Sequence, residues 1–292
     1  MTAEKNIRLV DLHTHSTNSD GTFSPTQIVS EAREKGLSAV ALTDHDCVFG
    51  LDEFEKAGIQ YGIETIDGIE FASYYEASLC KKTEIHIVGL FIDKNNKPIL
   101  EKTNEILEAR IERNKKMTKR LTELGFPMTY DELCALAGHN HCSRTHYALL
   151  MVKKGYVKDK NEAFAKYFAN NMPAYVPRIL PTPRECIEMI KNAGGIPILA
   201  HPTLYYMDDS QIEAMCKDLR QNGMEAMEVM YSTYNSRQQY FLTNIAEKYG
   251  FAKSGGSDFH GLNKAGIDLK TGKGNLAVPY EFLDELKERN GK

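Results

Sequence analysis

The six cysteines of this chain, Cys47, Cys80, Cys134, Cys142, Cys186 and Cys216, show no paired spacing such as C-x-x-C. A thiol-based zinc or redox motif needs such pairs, and a disulfide framework belongs to short secreted chains, so both are excluded. Residues 1–10 carry charges and only a short apolar run, in which no export signal is read. No apolar run approaches membrane-spanning length, and no internal repeat or low-complexity tract stands out. These absences predict a reducing, cytoplasmic setting without a membrane partner. The formal net charge of -4 gives no bulk attraction toward duplex nucleic acid or anionic lipid. An anionic substrate therefore needs a local device to offset the acidic surface, and bound metal ions are one.

What the chain does have is length and a recurring pattern. With 292 residues, 42% hydrophobic and 26% charged, it can build a sizeable core unaided. Strand-length apolar segments end in or contain coordinating residues. Residues 7–12 run into His13, 38–43 into Asp44, His45 and Asp46, and 65–69 into Glu70. Residues 84–91 contain His86, 196–200 end at His201, 226–231 at Ser232, and 251–254 lead to Asp258 and His260. Helix signals fall between several of them: Ser24 then Pro25 open one helix, Thr182 then Pro183 another. Alternating strands and helices with functional residues at strand ends predict an α/β fold, a parallel β/α barrel. Residues 97–181 break the rhythm and read helical and charged. They include a helix over 162–170 and an apolar helical spacing through Ile106, Ala109, Ile111, Met117, Leu121 and Leu124 that closes at Gly125. The expected organisation is a barrel domain of residues 1–96 and 182–292, with 97–181 as a helical insertion after the fourth strand, lying over the barrel mouth as a cap.

His13-x-His15 alone is a weak signal. Two residues apart on a strand, both imidazoles face one side and reach one ion. Asp20, His45, Glu70, His86, His201, Asp258 and His260 at later strand ends raise it to an expected metal site by sheer convergence. A second pair, His139 and His141, lies in a loop away from this pattern and is read as ordinary. Asp44 and Asp46 are expected to orient His45. Met224, Met227 and Met230 are expected to pack the core, and Lys115, Lys116, Lys119 and Arg120 to form a solvated face.

The motifs Asp11-Leu12-His13-Thr14-His15, Thr43-Asp44-His45-Asp46, Gly68-Ile69-Glu70, Ala200-His201-Pro202 and Gly256-Ser257-Asp258-Phe259-His260-Gly261 resemble the PHP (polymerase and histidinol phosphatase) superfamily. Arg144-Thr145-His146, Ala163-Phe164 and residues 173–177 resemble its TrpH/YciV-type phosphoesterases. The resemblance implies a distorted seven-stranded, TIM-like barrel and three divalent metal ions. His13, His15 and Asp258 would hold the first ion, bridged by Glu70 to a second completed by His86 and His201. Asp20, His45 and His260 would hold the third. The mixed N/O donors suit Mn or Fe, with Zn also compatible.

Such ions generate hydroxide near neutral pH and neutralise phosphoryl oxygens. The expected activity is hydrolysis of a phosphate ester by a hydroxide bridging the first two ions, with His13, Glu70, Asp258 and His201 at the catalytic centre. In the resembling group the substrate is the 3′-phosphate of a 3′,5′-bisphosphonucleoside, sometimes with 5′-3′ exonuclease action on short RNA. Arg144, His146 and Arg178 are candidates for a second phosphate, and Tyr231 and Ser232 for further substrate contact. Two alternatives stay open. One is a hydrolase of a cyclic phosphate diester on a sugar, and the other is a non-catalytic binding module. The sequence carries no signal for the oligomeric state.

Overall fold

The seven apolar runs all form strands in the computed structural model, which describes residues 8–77, 80–140 and 142–292. They are β1 (Leu9–Asp11), β2 (Ala39–Leu42), β3 (Glu64–Ala77), β4 (Cys80–Leu90), β5 (Ile196–Leu199), β6 (Ala226–Tyr231) and β7 (Ala252–Gly256). The expected seven-stranded barrel gains an eighth short strand, β8 (Val278–Pro279), and the sheet order is β7-β6-β5-β4-β3-β2-β1-β8.

β1, β2 and β3 run parallel, as do β5, β6 and β7. The expectation of parallel strands throughout fails at β4, which is antiparallel to both neighbours. Only two residues separate β3 from β4, and a parallel pair requires a crossover of about a dozen or more, so the two strands pair antiparallel. In that hairpin His86 lies opposite Ala72, two residues along from Glu70. This is the diagonal relation in which long side chains still touch.

The barrel closes where β1 runs on beyond its regular end against the chain after β7. Leu12 N–H donates to the Gly255 carbonyl at 3.2 Å, Asp258 N–H to His13 at 2.9 Å, and His15 N–H to Phe259 at 2.9 Å. A Cβ on Gly256 would fall 2.4 Å from that of His13, so only glycine permits this approach. β8 pairs instead with Leu9 and Val10 at the other end of β1.

Ten α-helices lie among the described residues. α1 (Pro25–Glu34) and α2 (Leu51–Tyr61) precede the hairpin. α3 (Lys97–Glu123), α4 (Tyr130–Ala137), α5 (Arg144–Lys153) and α6 (Lys160–Ala163) lie between β4 and α7 (Pro183–Asn192). α8 (Asp209–Gln221), α9 (Ser236–Tyr249) and α10 (Tyr280–Arg289) follow. Ser24 and Thr182 cap α1 and α7 with reciprocal bonds to Gln27 and Glu185, the expected starts. The helix read over 162–170 is α6 continued by a π-helical turn, Phe164–Phe168.

Side-chain alternation divides the core. Val40, Leu42, Ile69, Phe71, Ile85 and Ile87 pack outward with the surrounding helices. Ala39, Ala41, Ile66, Val88, Ala226 and Ala252 pack with Leu283 and Leu286 of α10. Glu70, His86 and Glu228 continue this second face along β3, β4 and β6. Met224 and Met227 are buried, and Met230 packs against both groups. A third core of Met117, Leu121, Leu133, Tyr147, Met151 and Phe168 belongs to α3–α6 and the π-helical turn. Ile99 and Ile106, in the first half of α3, join the barrel's outer core instead. Lys115 and Lys119 are exposed and pair with Glu112 and Glu123 on the same helix. Among the described residues no helix is long and apolar enough to cross a membrane.

Candidate metal centre

All nine expected ligands converge. Their donor atoms form four groups: His13, His15 and Asp258; His13, Glu70 and His201; His45, Glu70 and His86; and His15, Asp20, His45 and His260. The backbone is strained where it aims them. His201 has φ 28° and Asp258 φ 56°, a left-handed region that side chains other than glycine rarely occupy. Asp46, beside His45, has φ 55°.

Glu70 is the hub, as a bridging carboxylate would be. Its Oε1 lies 2.9 Å from His86 Nδ1 and 3.1 Å from His201 Nε2. Its Oε2 lies 2.9 Å from His45 Nδ1, 3.3 Å from His15 Nε2 and 3.4 Å from His13 Nε2. Asp258 Oδ1 is 3.3 Å from both His15 Nε2 and His260 Nδ1. Asp20 Oδ1 is 3.2 Å from His260 Nε2 and 3.8 Å from His45 Nε2. Donors about 2.1 Å from one ion stand roughly 3.0 Å apart at right angles and roughly 3.4 Å apart at the tetrahedral angle. The observed spacings match.

Two further observations test whether these residues fit a cation. His13 Nε2 and His15 Nε2 face each other at 3.0 Å. Asp20 Oδ1 and Glu70 Oε2 are buried without a hydrogen-bond partner among the described residues. Buried polar atoms normally find partners, and lone pairs converging in this way are satisfied by a positive ion. Burial opposes ionisation of Glu70, yet His45, His86 and His13 hold its carboxyl well below the usual range. Burial also pulls the His86 imidazole down, but Glu70 and Glu84 outweigh it and raise it to about 10. The set fits divalent ions with N/O preference.

Glu228 was not anticipated. It is buried in β6, accepts from His13 Nδ1 at 2.8 Å and from the His201 backbone N–H at 2.7 Å. The first bond fixes the His13 tautomer that turns a bare Nε2 into the site. A single acid within the apolar run Ala226–Tyr231 was the available signal. His260 Nδ1 likewise donates to the Asp258 carbonyl at 2.9 Å. Lys264, also unanticipated, pairs with Asp258 Oδ2. Asp44 and Asp46 do not act on the His45 ring as expected. Asp44 accepts from Ser16 and Ser19, and Asp46 from the Ala72 N–H and Arg110.

The substrate candidates divide. Arg144 and Arg178 line a cavity of about 150 Å³ together with Arg110 and Arg113, and Asp20, His45 and His86 form its other wall. Arg178 pairs with Glu84 and Arg110 with Asp46. Arg113 is buried, and among the described residues it donates to the Met117 sulfur at 3.1 Å alone. Burial first, then Arg110, Arg178 and Arg144, push its guanidinium down to about 9. Arg110 and Arg113 share the inward stripe of α3 with Ile106, Met117 and Leu121. Two cations at core-facing positions were the overlooked signal.

Three of the expected substrate residues lie apart from this cavity. His146 caps α5 by accepting the Ser143 N–H at 3.0 Å and lines a separate cleft with Thr17 and Thr22. Its place at the third position of the helix turns the ring back on the cap. Tyr231 and Ser232 are buried, and their hydroxyls donate to Asp258 Oδ2 at 2.6 Å and to the Ser257 carbonyl. Both brace the Asp258 loop. Of the second histidine pair, His139 stacks edge-on against His146, and His141 lies outside the described residues.

The PHP domain model matches residues 11–177. A 5′-3′ exoribonuclease of Haemophilus influenzae is 35% identical over 86% of this chain and 89% of its own. A 3′,5′-nucleoside bisphosphate phosphatase of Chromobacterium violaceum is 32% identical over 89% of this chain and 90% of its own. Among solved structures, a protein of Bifidobacterium adolescentis described as a metal-dependent phosphoesterase superposes with a TM-score of 0.83 at 28% identity, over 97% of this chain and 96% of that one. Fold, ligand geometry and these similarities agree, and the chain belongs to the PHP domain family of phosphoesterases.

Proposed function

We propose that this enzyme removes the 3′-phosphate of a 3′,5′-bisphosphonucleoside, with divalent ions held by the nine clustered ligands. The observation that carries this reading is the four-arginine cavity that shares a wall with the metal centre. One phosphate sits among Arg110, Arg113, Arg144 and Arg178, and the other reaches the metal ligands. An anion there relieves the buried charge of Arg113, which no carboxylate among the described residues offsets. A monophosphate lacks one of the two anchors.

Three ions are assigned. His13, His15 and Asp258 would hold one, Glu70 would link it to a second on His86 and His201, and Asp20, His45 and His260 would hold the third. Mn or Fe suits this donor set, and Zn is compatible. When bound, such ions acidify water and screen the charge of a phosphate ester. The chain's residues do the rest. Glu228 and the His260 carbonyl bond keep two imidazoles aimed inward, Tyr231 and Ser232 brace Asp258, and Lys264 stands at the cleft to meet a phosphoryl oxygen once Asp258 turns to an ion. The P–O3′ bond broken in a bisphosphonucleoside also occurs in 5′-phosphorylated RNA, so exonuclease action on short RNA draws on the same residues.

Residues 97–181 act as a cap over a barrel formed by 1–96 and 182–292, and they contribute all four arginines of the cavity. The buried free thiols Cys47, Cys142, Cys186 and Cys216 accord with a reducing cytoplasm. The test compares phosphate release from 3′,5′-bisphosphoadenosine and adenosine 3′-monophosphate in the Mn-loaded enzyme. Preference for the bisphosphate, lost in Arg144→Ala through a raised KM, is the expected result. Equal turnover of both substrates would remove the arginine cavity from recognition.

A further inference from the structure

The arginine cavity occupies only one flank of the metal centre. On the other flank the cleft opens into a larger cavity of about 770 Å³. His45, Glu84, His86 and Arg144 line both, so the two meet at the metal ligands. A bay of this size exceeds the needs of a departing phosphate and falls in the range of sites for whole small ligands.

The wall of the bay is the segment after His201. Tyr205 pins it from below, its hydroxyl accepting the His86 N–H at 2.9 Å and donating to the Ala200 carbonyl. Asp208 and Gln211 close it with the reciprocal cap that starts α8. Between these anchors Tyr206 takes a left-handed backbone, φ 57°, and its side chain is fully exposed at 102%. Leu204 beside it is 40% exposed, and Met207 also lines the bay. A short apolar shelf, held by fixed bonds at both ends and facing a phosphate-handling centre, is what a flat nucleobase stacks on.

We propose that this bay seats the nucleoside on the far side of the scissile phosphate, with Tyr206 as its stacking surface. The inference rests on the proposed function and gives it direction. The 5′-phosphate enters the arginine cavity, the first nucleoside spans to the metal centre, and the second lies on Tyr206. Water adds across the P–O3′ bond: its oxygen joins phosphorus, and its proton goes to O3′ of the first nucleotide. The second nucleotide keeps the phosphate as a new 5′-phosphate, which is the group the arginine cavity accepts. A bisphosphonucleoside undergoes the same bond change with the bay empty.

Tyr206 can be replaced without disturbing the core because its ring touches solvent. Binding of a 5′-phosphorylated dinucleotide and of 3′,5′-bisphosphoadenosine is measured in EDTA for the wild type, Tyr206→Ala and Tyr206→Phe. Mn-loaded kcat/KM is then measured for both ligands. Tyr206→Ala is expected to weaken the dinucleotide about tenfold more than the bisphosphate in both assays, within the range of base–aromatic stacking, and Tyr206→Phe to restore it. Equal losses for both ligands would place the base of the first nucleoside on Tyr206 and overturn the inference, as would an unchanged dinucleotide. A wild type that neither binds nor hydrolyses the bisphosphate would overturn the functional reading, and this inference with it.

Discussion

Glu228 and Arg113 show how much of the site depends on residues that carry no motif. The nine candidate ligands could be read from the sequence because most of them end, follow or interrupt a short apolar run, where a polar residue has an evident purpose. Glu228 interrupts such a run too, but three neighbouring methionines made the segment read as packing. Arg113 was hidden by a helix whose apolar stripe was counted without its cations. Their chemistry yields two predictions. Glu228→Gln keeps the shape of the side chain but removes the carboxylate that orients His13, so metal affinity should fall about 10- to 100-fold with little change in melting temperature. Titration with Mn against a chelating dye measures it. Arg113→Met removes an unpaired buried charge, so the free protein should gain about 1 kcal/mol of stability. The same variant should raise KM for a bisphosphate, a trade of stability against function that paired denaturation and kinetic measurements would detect.

Elements show where pattern reading holds and where topology intervenes. Strand positions and helix starts followed from apolar runs and from Ser-Pro and Thr-Pro pairs, whose caps are local chemistry. The reversal of β4 and the eighth strand were not legible, because strand direction depends on the length of a connection and on long-range pairing. Glycine at β7 is the opposite case, since its need is absolute. Gly256→Ala would drive a methyl group into His13 and should cost about 1–3 kcal/mol while loosening the metal centre. Chemical denaturation and metal content would register both losses. In α5, burial pushes His146 down to about 4, below the roughly 6.5 of an unfolded histidine. The unfolded chain therefore binds a proton that the folded chain refuses, and stability falls as pH drops from about 6.5 toward 4. Between pH 7.5 and pH 5 this amounts to about 2 kcal/mol, and His146→Gln should remove that part of the slope in urea denaturation at the two values.

The whole molecule joins a barrel, which gathers the candidate ligands, to helices that bring arginines to the same cavity. Ions at the candidate centre, together with the four arginines of the neighbouring cavity, would answer the net charge of -4 locally. Ions bound to the folded centre and absent from the unfolded chain shift the folding equilibrium, so metal should stabilise the fold by about 4 kcal/mol at a thousandfold excess over Kd. Activity reports on the same centre. The most direct measurement follows phosphate release from 3′,5′-bisphosphoadenosine by chelator-stripped protein as Mn is added back, beside Glu70→Gln. The account predicts silence without metal, recovery with Mn, and no recovery when the bridging carboxylate is gone. Undiminished turnover in the stripped protein, or full recovery in Glu70→Gln, would contradict it.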